Sequence, residues 1–243
     1  MVYQGIINSV SQGKKQLAVL IDPDKANDGL LKEIIQTSLQ SGVDYFFVGG
    51  SLLTTDNMAR CIVELKTQRD IPVVLFPGNT MQVQAGADAI LFLSLISGRN
   101  PEMLIGKHVI AAPYVKAAAL EVIPTGYMLI ESGKATAVQY MSHSLPIPSD
   151  KVDIAACTAL AGEMLGLKMI YLEAGSGAQN TVPCEMVTEV RKQIKLPIIV
   201  GGGIRTPETA RQLWHAGADI LVLGTAVEKS NGIIAEIAKV IKT

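Results

Sequence analysis

The sequence predicts an α/β fold, a (β/α)₈ TIM barrel. Three observations predict it. Eight apolar runs alternate along the chain with segments of helical periodicity. The length of 243 residues fits one barrel, for which roughly 250 residues are typical. The last two apolar runs both end in glycine turns. We therefore expect a single domain over residues 1–243, with phosphate-binding loops after strands 6, 7 and 8.

The eight apolar runs are almost continuous in Val, Ile and Leu, which is typical of parallel strands that are buried on both faces. Helical segments between them imply right-handed crossovers, and eight such strands close a barrel. The predicted strands cover residues 17–22, 45–50, 73–78, 89–94, 121–130, 169–174, 197–202 and 220–225.

The connections are helical where apolar residues recur at a spacing of three and four. This pattern predicts helices over residues 27–39, 55–66, 151–165, 184–193 and 207–214. The third helix position, around residues 81–86, is short, and residues 97–148 hold a long connection on both sides of the fifth strand. A repeated Ser-Gly-Val-Asp or Ala-Gly-Ala-Asp precedes three strands, at residues 41–44, 85–88 and 216–219. We interpret its glycine as a helix terminator and the repeat as structural.

The composition excludes several classes of protein. The net charge is −1, with no cluster of Lys and Arg, which argues against a nucleic-acid partner. Cys61, Cys157 and Cys184 lie far apart, so we expect free thiols in a reducing compartment. The start of the chain lacks the order of a signal peptide, and no apolar run approaches the ~20 residues that span a bilayer. We expect a cytoplasmic homo-oligomer with at most peripheral membrane contact.

Two glycine turns follow the last two predicted strands. Residues 201–203 are three consecutive glycines, and Gly224 with Thr225 ends strand 8. Glycine has no Cβ, so its N–H group can closely approach an anion. Residues 206–208, Thr-Pro-Glu, predict a helix N-terminus, whose dipole favours an anion at the same place. Substrate phosphates often bind after strands 7 and 8 of such barrels, although the glycines alone also fit plain tight turns.

A lone carboxylate lies in the otherwise apolar strand 6. Glu173 is two residues from Tyr171, so both side chains point to the same face of the strand. A buried carboxylate is costly unless it is paired or functional, and Glu173 is our candidate general base. The alternative is a structural ion pair with Lys25 or Lys116. The Gly-Ser-Gly that follows, residues 175–177, is a third candidate phosphate cradle.

An acidic and a hydroxyl side chain follow the first two strands. Asp22 comes after strand 1 and Ser51 after strand 2. Mg²⁺ prefers such hard oxygen ligands and takes one or two of them from the protein, the others from water and substrate phosphates. The alternative is that each residue caps the helix that follows it. The three histidines are isolated in the sequence, which argues against a histidine metal site.

Taken together, five segments carry a resemblance to a known family. They are LIDPDK, FVGGS, YLEAGSGA, GGGIRTPETA and LGTAVE. In these segments the chain resembles the geranylgeranylglyceryl phosphate synthase family, also known as the PcrB-like prenyltransferases. The resemblance implies a (β/α)₈ barrel that uses Mg²⁺ and transfers a prenyl group from a polyprenyl diphosphate, the geranylgeranyl compound in particular, to the C3 hydroxyl of sn-glycerol 1-phosphate.

The resemblance also implies roles for single residues. Asp22 and Ser51 match the family's metal positions, and Glu173 would accept the proton of the glycerol hydroxyl. One position departs from some bacterial members, which have a glycerol-phosphate lysine where this chain has Leu20; in this it matches the archaeal-like group. The positions that match the glycerol-phosphate site are Tyr171, Leu172, Glu173, Ala174, Gly175, Ser176, Gly177, Gly202, Gly203, Gly224 and Thr225.

A prenyl tail requires an apolar groove, which we expect around Phe76, residues 92–96 and residues 114–127. Two other functions remain open. A sugar-phosphate isomerase would need an acid and a base on opposite strands, and only Glu131 is available as a partner for Asp22. A non-catalytic barrel that binds a phosphorylated metabolite would need neither.

Overall fold

The computed structural model describes residues 1–67 and 70–241. Eight parallel strands form a closed barrel in chain order, β1 to β8, and β1 pairs with β8. This confirms the predicted fold class. The predicted single domain over residues 1–243 also includes residues 68, 69, 242 and 243, which lie outside the described part. The strands are β1 (Gln16–Ile21), β2 (Tyr45–Val48), β3 (Val73–Leu75), β4 (Ala89–Leu95), β5 (Glu121–Leu129), β6 (Met169–Glu173), β7 (Ile198–Gly201) and β8 (Ile220–Leu223).

All five predicted helices are present, with ends shifted by up to three residues. Thr206 caps the helix after β7, as predicted: its hydroxyl accepts a hydrogen bond from the N–H of Thr209 at 3.2 Å. The helices are α1 (Val2–Ser11), α2 (Asp28–Ser41), α3 (Met58–Leu65), α4 (Lys107–Ala117), α5 (Ala137–Ser142), α6 (Val152–Met164), α7 (Cys184–Gln193), α8 (Pro207–Ala216), α9 (Thr225–Lys229) and α10 (Gly232–Ile241).

Alternate residues of each strand enter two separate cores. Tyr171 and Ile199 lie inside the barrel, whereas Leu172 and Val200 pack in the layer between barrel and helices. This is the period of two expected for strands that are buried on both faces.

The two irregular connections are confirmed. The third helix position holds only a 3₁₀ turn, Thr80–Gln82. The long connection holds a π-helical turn, Glu102–Gly106, then α4 before β5 and α5 after it.

Five of the ten helices in the described part of the chain were not predicted: α1, α4, α5, α9 and α10. Helix α1 closes the end of the barrel at which the strands begin, where Val2 and Ile6 join the inner core. The carboxylate of Glu121, the first residue of β5, accepts hydrogen bonds from the N–H groups of Val2 and Tyr3 and so caps the helix. Most residues of α1 are polar or exposed, so its few apolar residues do not form a pattern from which a helix could be predicted.

The repeated Gly-Asp motif is structural, as predicted. Its glycines end α2 and α8 in the left-handed conformation. Each aspartate then accepts a hydrogen bond from the N–H of a residue in or at the start of the preceding strand: Asp44 from Leu17 at 2.8 Å, Asp88 from Val73 at 2.7 Å and Asp219 from Ile198 at 2.9 Å.

The three cysteines are free thiols, which agrees with the prediction from their spacing. Trp214 is buried in the outer core. Within residues 1–67 and 70–241, no helix combines the length and the apolar character that crossing a bilayer requires.

Candidate active site

A polar cavity of about 720 Å³ opens at the end of the barrel where the strands terminate. Loops after β1, β2, β6, β7 and β8 line it, so the barrel brings together residues that are far apart in the sequence. The predicted site residues in its lining are Asp22, Ser51, Tyr171, Glu173, Gly175, Ser176, Gly177, Gly202, Gly203, Gly224 and Thr225.

Two residues of the predicted glycerol-phosphate set face elsewhere. The side chains of Leu172 and Ala174 are buried between the barrel and the helices. Strand alternation explains this, because Tyr171 and Glu173 face the cavity. Any contact of Leu172 or Ala174 with a substrate is restricted to the main chain.

Glu173 lies at the floor of the cavity and is only 5% exposed. Its Oε1 atom accepts a hydrogen bond from the N–H of Gly175 at 2.6 Å. Burial raises the pKa of Glu173 from 4.5 to about 7, although the Gly175 amide and the Tyr171 hydroxyl act in the opposite direction. A carboxyl group with a pKa near neutrality is suited to proton transfer.

The alternative prediction, that Glu173 forms a structural ion pair, is wrong: within the described part of the chain Glu173 has no ion-pair partner. The ammonium group of Lys25 lies 3.1 Å from Asp22 Oδ2 and 3.2 Å from Glu228 Oε1 instead. Lys116 forms no ion pair with Glu173 either.

Tyr171 is fully buried, and its hydroxyl faces the carboxylate of Glu173. Burial, and then the charge of Glu173, raise the pKa of Tyr171 well above its usual value. Buried hydroxyls are normally hydrogen-bonded. The hydroxyl of Tyr171 and the carboxylate of Glu173 therefore form a buried pair at the floor of the cavity.

The glycine turns after β6, β7 and β8 meet at one side of the cavity. Gly202 and Gly203 have positive φ angles of 83° and 73°. A Cβ atom at Gly202 would lie 2.6 Å from Glu173 Oε1, and one at Gly203 would lie 2.8 Å from the carbonyl oxygen of Asn180. Only glycine fits both positions, in conformation and in space.

The turns after β6 and β8 are also joined directly. The hydroxyl oxygens of Ser176 and Thr225 lie 3.1 Å apart. Helices α8 and α9 begin beside these turns. Main-chain N–H groups, small hydroxyls and a helix N-terminus are the groups that bind phosphate.

Asp22 and Ser51 both line the polar cavity. Asp22 Oδ1 accepts a hydrogen bond from the N–H of Asp24 at 3.1 Å. The alternative of helix caps is wrong for both residues, because the residues at the N-caps of α2 and α3 are Asn27 and Asn57.

The donor set fits Mg²⁺. Within the described residues there is no group of three or more His, Cys, Asp or Glu side chains that could enclose a metal ion. Asp22 and Ser51 offer one carboxylate and one hydroxyl, and Mg²⁺ usually takes only one or two ligands from a protein. Its remaining ligands would be water and substrate phosphate oxygens.

A second, apolar groove adjoins the polar cavity. Its lining includes the predicted residues Phe76, Phe92, Leu93, Leu95 and Tyr127. Ser94 and Ile96 do not line it, and neither does Tyr114, whose side chain is exposed on α4. The 3₁₀ turn that replaces the third helix also contributes to the wall of the groove, through Thr80.

Three aromatic rings stand where the groove meets the cavity. Phe76 stacks on Tyr171 with ring centroids 5.3 Å apart, and Tyr127 lies 5.4 Å from Tyr171. Phe76, Tyr127 and Ser51 line both spaces. Phe76 and Tyr127 were predicted for the groove and Tyr171 for the polar site, but their contact was not predicted, because they come from three separate segments: the loop after β3, β5 and β6.

The family model described as PcrB family matches residues 10–242. The chain belongs to the PcrB family. Curated relatives in this family include the geranylgeranylglyceryl phosphate synthase of Chitinophaga pinensis, 52% identical over 98% of this chain and 94% of that protein. Another is the geranylgeranylglyceryl phosphate synthase of Spirosoma linguale, 49% identical over 95% of this chain and 92% of that protein.

A solved structure of the same kind is close to this PcrB-family chain. It is (S)-3-O-geranylgeranylglyceryl phosphate synthase from Thermoplasma acidophilum in complex with substrate sn-glycerol-1-phosphate. The TM-score is 0.93 at 33% identity, over 100% of this chain and 98% of that one. The predicted family resemblance is thereby confirmed.

The geometry of this PcrB-family barrel does not support a sugar-phosphate isomerase. Glu131, the only available partner for Asp22, is exposed outside the polar cavity and accepts a hydrogen bond from the N–H of Ser149. Asp22 and Glu131 therefore cannot act on opposite sides of one substrate.

Proposed function

We propose that this chain is a Mg²⁺-dependent prenyltransferase that joins a polyprenyl group, geranylgeranyl in particular, to the C3 hydroxyl of sn-glycerol 1-phosphate. The products are a prenyl ether of glycerol phosphate and diphosphate. The observation that carries the proposal is the junction of two unlike spaces. A polar cavity with a phosphate cradle and a buried carboxylate opens into an apolar groove, and Ser51, Phe76 and Tyr127 are shared by both.

Each substrate matches one part of this junction. The glycine turns at residues 175–177, 202–203 and 224–225 would hold the phosphate of glycerol phosphate by main-chain N–H groups. The apolar groove would hold the prenyl tail. The reacting carbon of the tail then lies at the aromatic cluster, next to Tyr171 and Glu173.

The transfer follows from this placement. The oxygen of the C3 hydroxyl forms a bond to the allylic carbon, and the bond from that carbon to the diphosphate oxygen breaks, with its electron pair leaving on the diphosphate. The carboxylate of Glu173 accepts the hydroxyl proton. The Tyr171 hydroxyl, which faces this carboxylate, would orient it toward the glycerol.

Asp22 and Ser51 would hold Mg²⁺ at the mouth of the groove. When bound there, the ion offsets the negative charge of the leaving diphosphate. Lys25, which contacts Asp22 and Glu228, adds a fixed positive charge at the same rim.

One experiment tests the proposal directly. The protein is incubated with labelled sn-glycerol 1-phosphate, Mg²⁺ and a mixture of prenyl diphosphates, and the products are extracted into organic solvent. We expect label in the organic phase, and the product mass gives the length of the preferred tail. Label that stays in water, with tight binding of glycerol phosphate, would favour a non-catalytic binding protein.

We also propose that the enzyme is a cytoplasmic homo-oligomer. The three free thiols support a reducing compartment. The outer face of α4 exposes Val109, Ile110 and Tyr114, and exposed apolar patches often form contacts between subunits. Light scattering after gel filtration measures the oligomeric state.

A further inference from the structure

We propose that Asp24 and Gln82 are positioning residues that fix the segment 50–55, and with it Ser51, against the loop that carries Asp22. The inference rests on the proposed Mg²⁺ site. It assigns a task to two side chains that do not themselves contact a substrate.

Asp24 holds the far end of this segment. Its Oδ2 atom accepts hydrogen bonds from the N–H of Thr54 at 2.6 Å and from the hydroxyl of Thr54 at 2.9 Å. Its Oδ1 atom accepts from the hydroxyl of Thr55 at 2.5 Å and from the N–H of Thr55 at 3.2 Å. One carboxylate thus makes four hydrogen bonds to two consecutive residues of the loop after β2.

The same residue also orients the first candidate ligand. The N–H of Asp24 donates to Asp22 Oδ1 at 3.1 Å. Through its main chain and its side chain, Asp24 therefore connects Asp22 to the loop of Ser51.

Gln82 holds the near end of the segment. Its side chain is buried in the 3₁₀ turn after β3. Its Nε2 atom donates to the carbonyl oxygen of Gly50 at 2.7 Å, and its Oε1 atom accepts from the N–H groups of Gly50 at 3.3 Å and Gly78 at 3.0 Å. Gly50 is the residue directly before Ser51.

Ser51 therefore lies between two anchors that belong to the two neighbouring loops. This matters because the protein offers only two ligands to the metal. When so few ligands are supplied, their relative position decides the affinity, and residues that orient metal ligands typically contribute 10- to 100-fold.

The test uses two variants and a matched control. Asp24→Asn removes acceptor capacity toward Thr54 and Thr55, and Gln82→Glu removes the donor to Gly50. The control is Asp56→Asn, the same chemical change at an exposed carboxylate of the same loop.

Two readouts separate positioning from fold stability. Amide hydrogen exchange of residues 50–55 reports the anchoring without any metal. Binding of Mn²⁺, followed by its electron paramagnetic resonance signal with the unreactive analogue geranylgeranyl S-thiolodiphosphate at saturation, reports the site. We expect Asp24→Asn and Gln82→Glu to accelerate exchange in this segment and to raise the Mn²⁺ dissociation constant by ~10- to 100-fold, while Asp56→Asn changes neither.

The outcomes distinguish this inference from the proposed function. Faster exchange with unchanged Mn²⁺ affinity would overturn the positioning role and leave the transferase intact. A wild-type protein that binds no Mn²⁺ would overturn the metal site and this inference together. Should Asp24→Asn fail to fold, Thr55→Val keeps the side-chain shape, removes one of the four donors, and is judged by the same two readouts.

Discussion

Glu173 is hydrogen-bonded to Gly175, the first glycine of the cradle after β6, at 2.6 Å. The proposed proton acceptor and the proposed phosphate site are therefore built on one strand end. β6 is paired with β5 on one side and with β7 on the other, so both parts rest on a strand inside the closed barrel. The distance between the reacting hydroxyl and the phosphate of the substrate would be set by this strand.

The first prediction concerns proton transfer. Glu173→Gln keeps the size of the side chain and its acceptor for Gly175, but it cannot take up a proton from the hydroxyl. We expect turnover to fall by ~10²- to 10⁴-fold, the range for loss of a general base, while prenyl diphosphate binding is nearly unchanged. Single-turnover assays and binding titrations measure the two effects. Glu185→Gln, the same change at an exposed glutamate, is the control. If the turnover of Glu173→Gln stayed within a few-fold of wild type, another group would have to accept the proton.

The second prediction follows from the pKa of Glu173, about 7. Only the ionised form accepts a proton, so kcat/KM should rise with pH and level off above about 7. The rising limb should be absent from the residual activity of Glu173→Gln. If kcat/KM instead rose near pH 4.5, the ordinary pKa of glutamate, burial in the free enzyme would not control the pKa of the base.

The third prediction concerns stability. A raised carboxyl pKa means that the folded state favours the protonated form, so ionisation of Glu173 destabilises the fold. The cost is absent below pH 4.5, grows as pH rises, and is complete above about 7. The difference corresponds to a free energy of unfolding on the order of 3 kcal/mol. Glu173→Gln should therefore be more stable than wild type at pH 8, and the gain should vanish toward pH 4.5. A variant that is less stable at pH 8 would contradict this.

The fourth prediction tests the metal site. Asp22→Asn removes the only protein charge assigned to Mg²⁺, so turnover should fall severely and the Mg²⁺ concentration for half-maximal activity should rise. Ser51→Ala should do less, because a hydroxyl is a neutral ligand that water replaces. Activity is measured across a Mg²⁺ titration, with Asp56→Asn as the matched control. Near-normal activity of Asp22→Asn at limiting Mg²⁺ would remove the assignment.

The fifth prediction concerns the phosphate cradle. Ligand at ~100 times its dissociation constant stabilises a protein by about 2.7 kcal/mol, so sn-glycerol 1-phosphate should raise the melting temperature. Its enantiomer, sn-glycerol 3-phosphate, should raise it less, because Tyr171 and Glu173 fix the hydroxyls. Gly203→Val should abolish the shift. Gly166→Val is the control, since Gly166 also has a positive φ angle, 85°, but lies in open space. Equal shifts with both enantiomers would contradict the stereochemical part.

The sequence predicted the barrel because each strand is visible locally, as a run such as residues 220–223 that is apolar on both faces. It also placed Asp22, Glu173 and the glycine turns at one end, since parallel strands of a barrel terminate together. Helix α1 was missed, because Val2 and Ile6 give only a short apolar stripe.

Contacts between side chains of distant segments could not be predicted from the sequence. The four hydrogen bonds of Asp24 to Thr54 and Thr55 depend on how two loops fold over the rim. The carboxamide of Gln82 reaches Gly50 from the short 3₁₀ turn that stands between β3 and β4 in place of a helix. In both cases the residue type is common in loops, and only its partner, more than 25 positions away, reveals what it does.

The three aspartates of the Gly-Asp repeat have a consequence for assembly. Each one closes a unit of two consecutive strands, β1 with β2, β3 with β4 and β7 with β8, through partners only 27, 15 and 21 positions apart. The chain can therefore be cut between β4 and β5 without separating any of these pairs. Two co-expressed fragments divided there would each carry strand pairs held by their own aspartates, so their association would report formation of the β4–β5 and β8–β1 pairings.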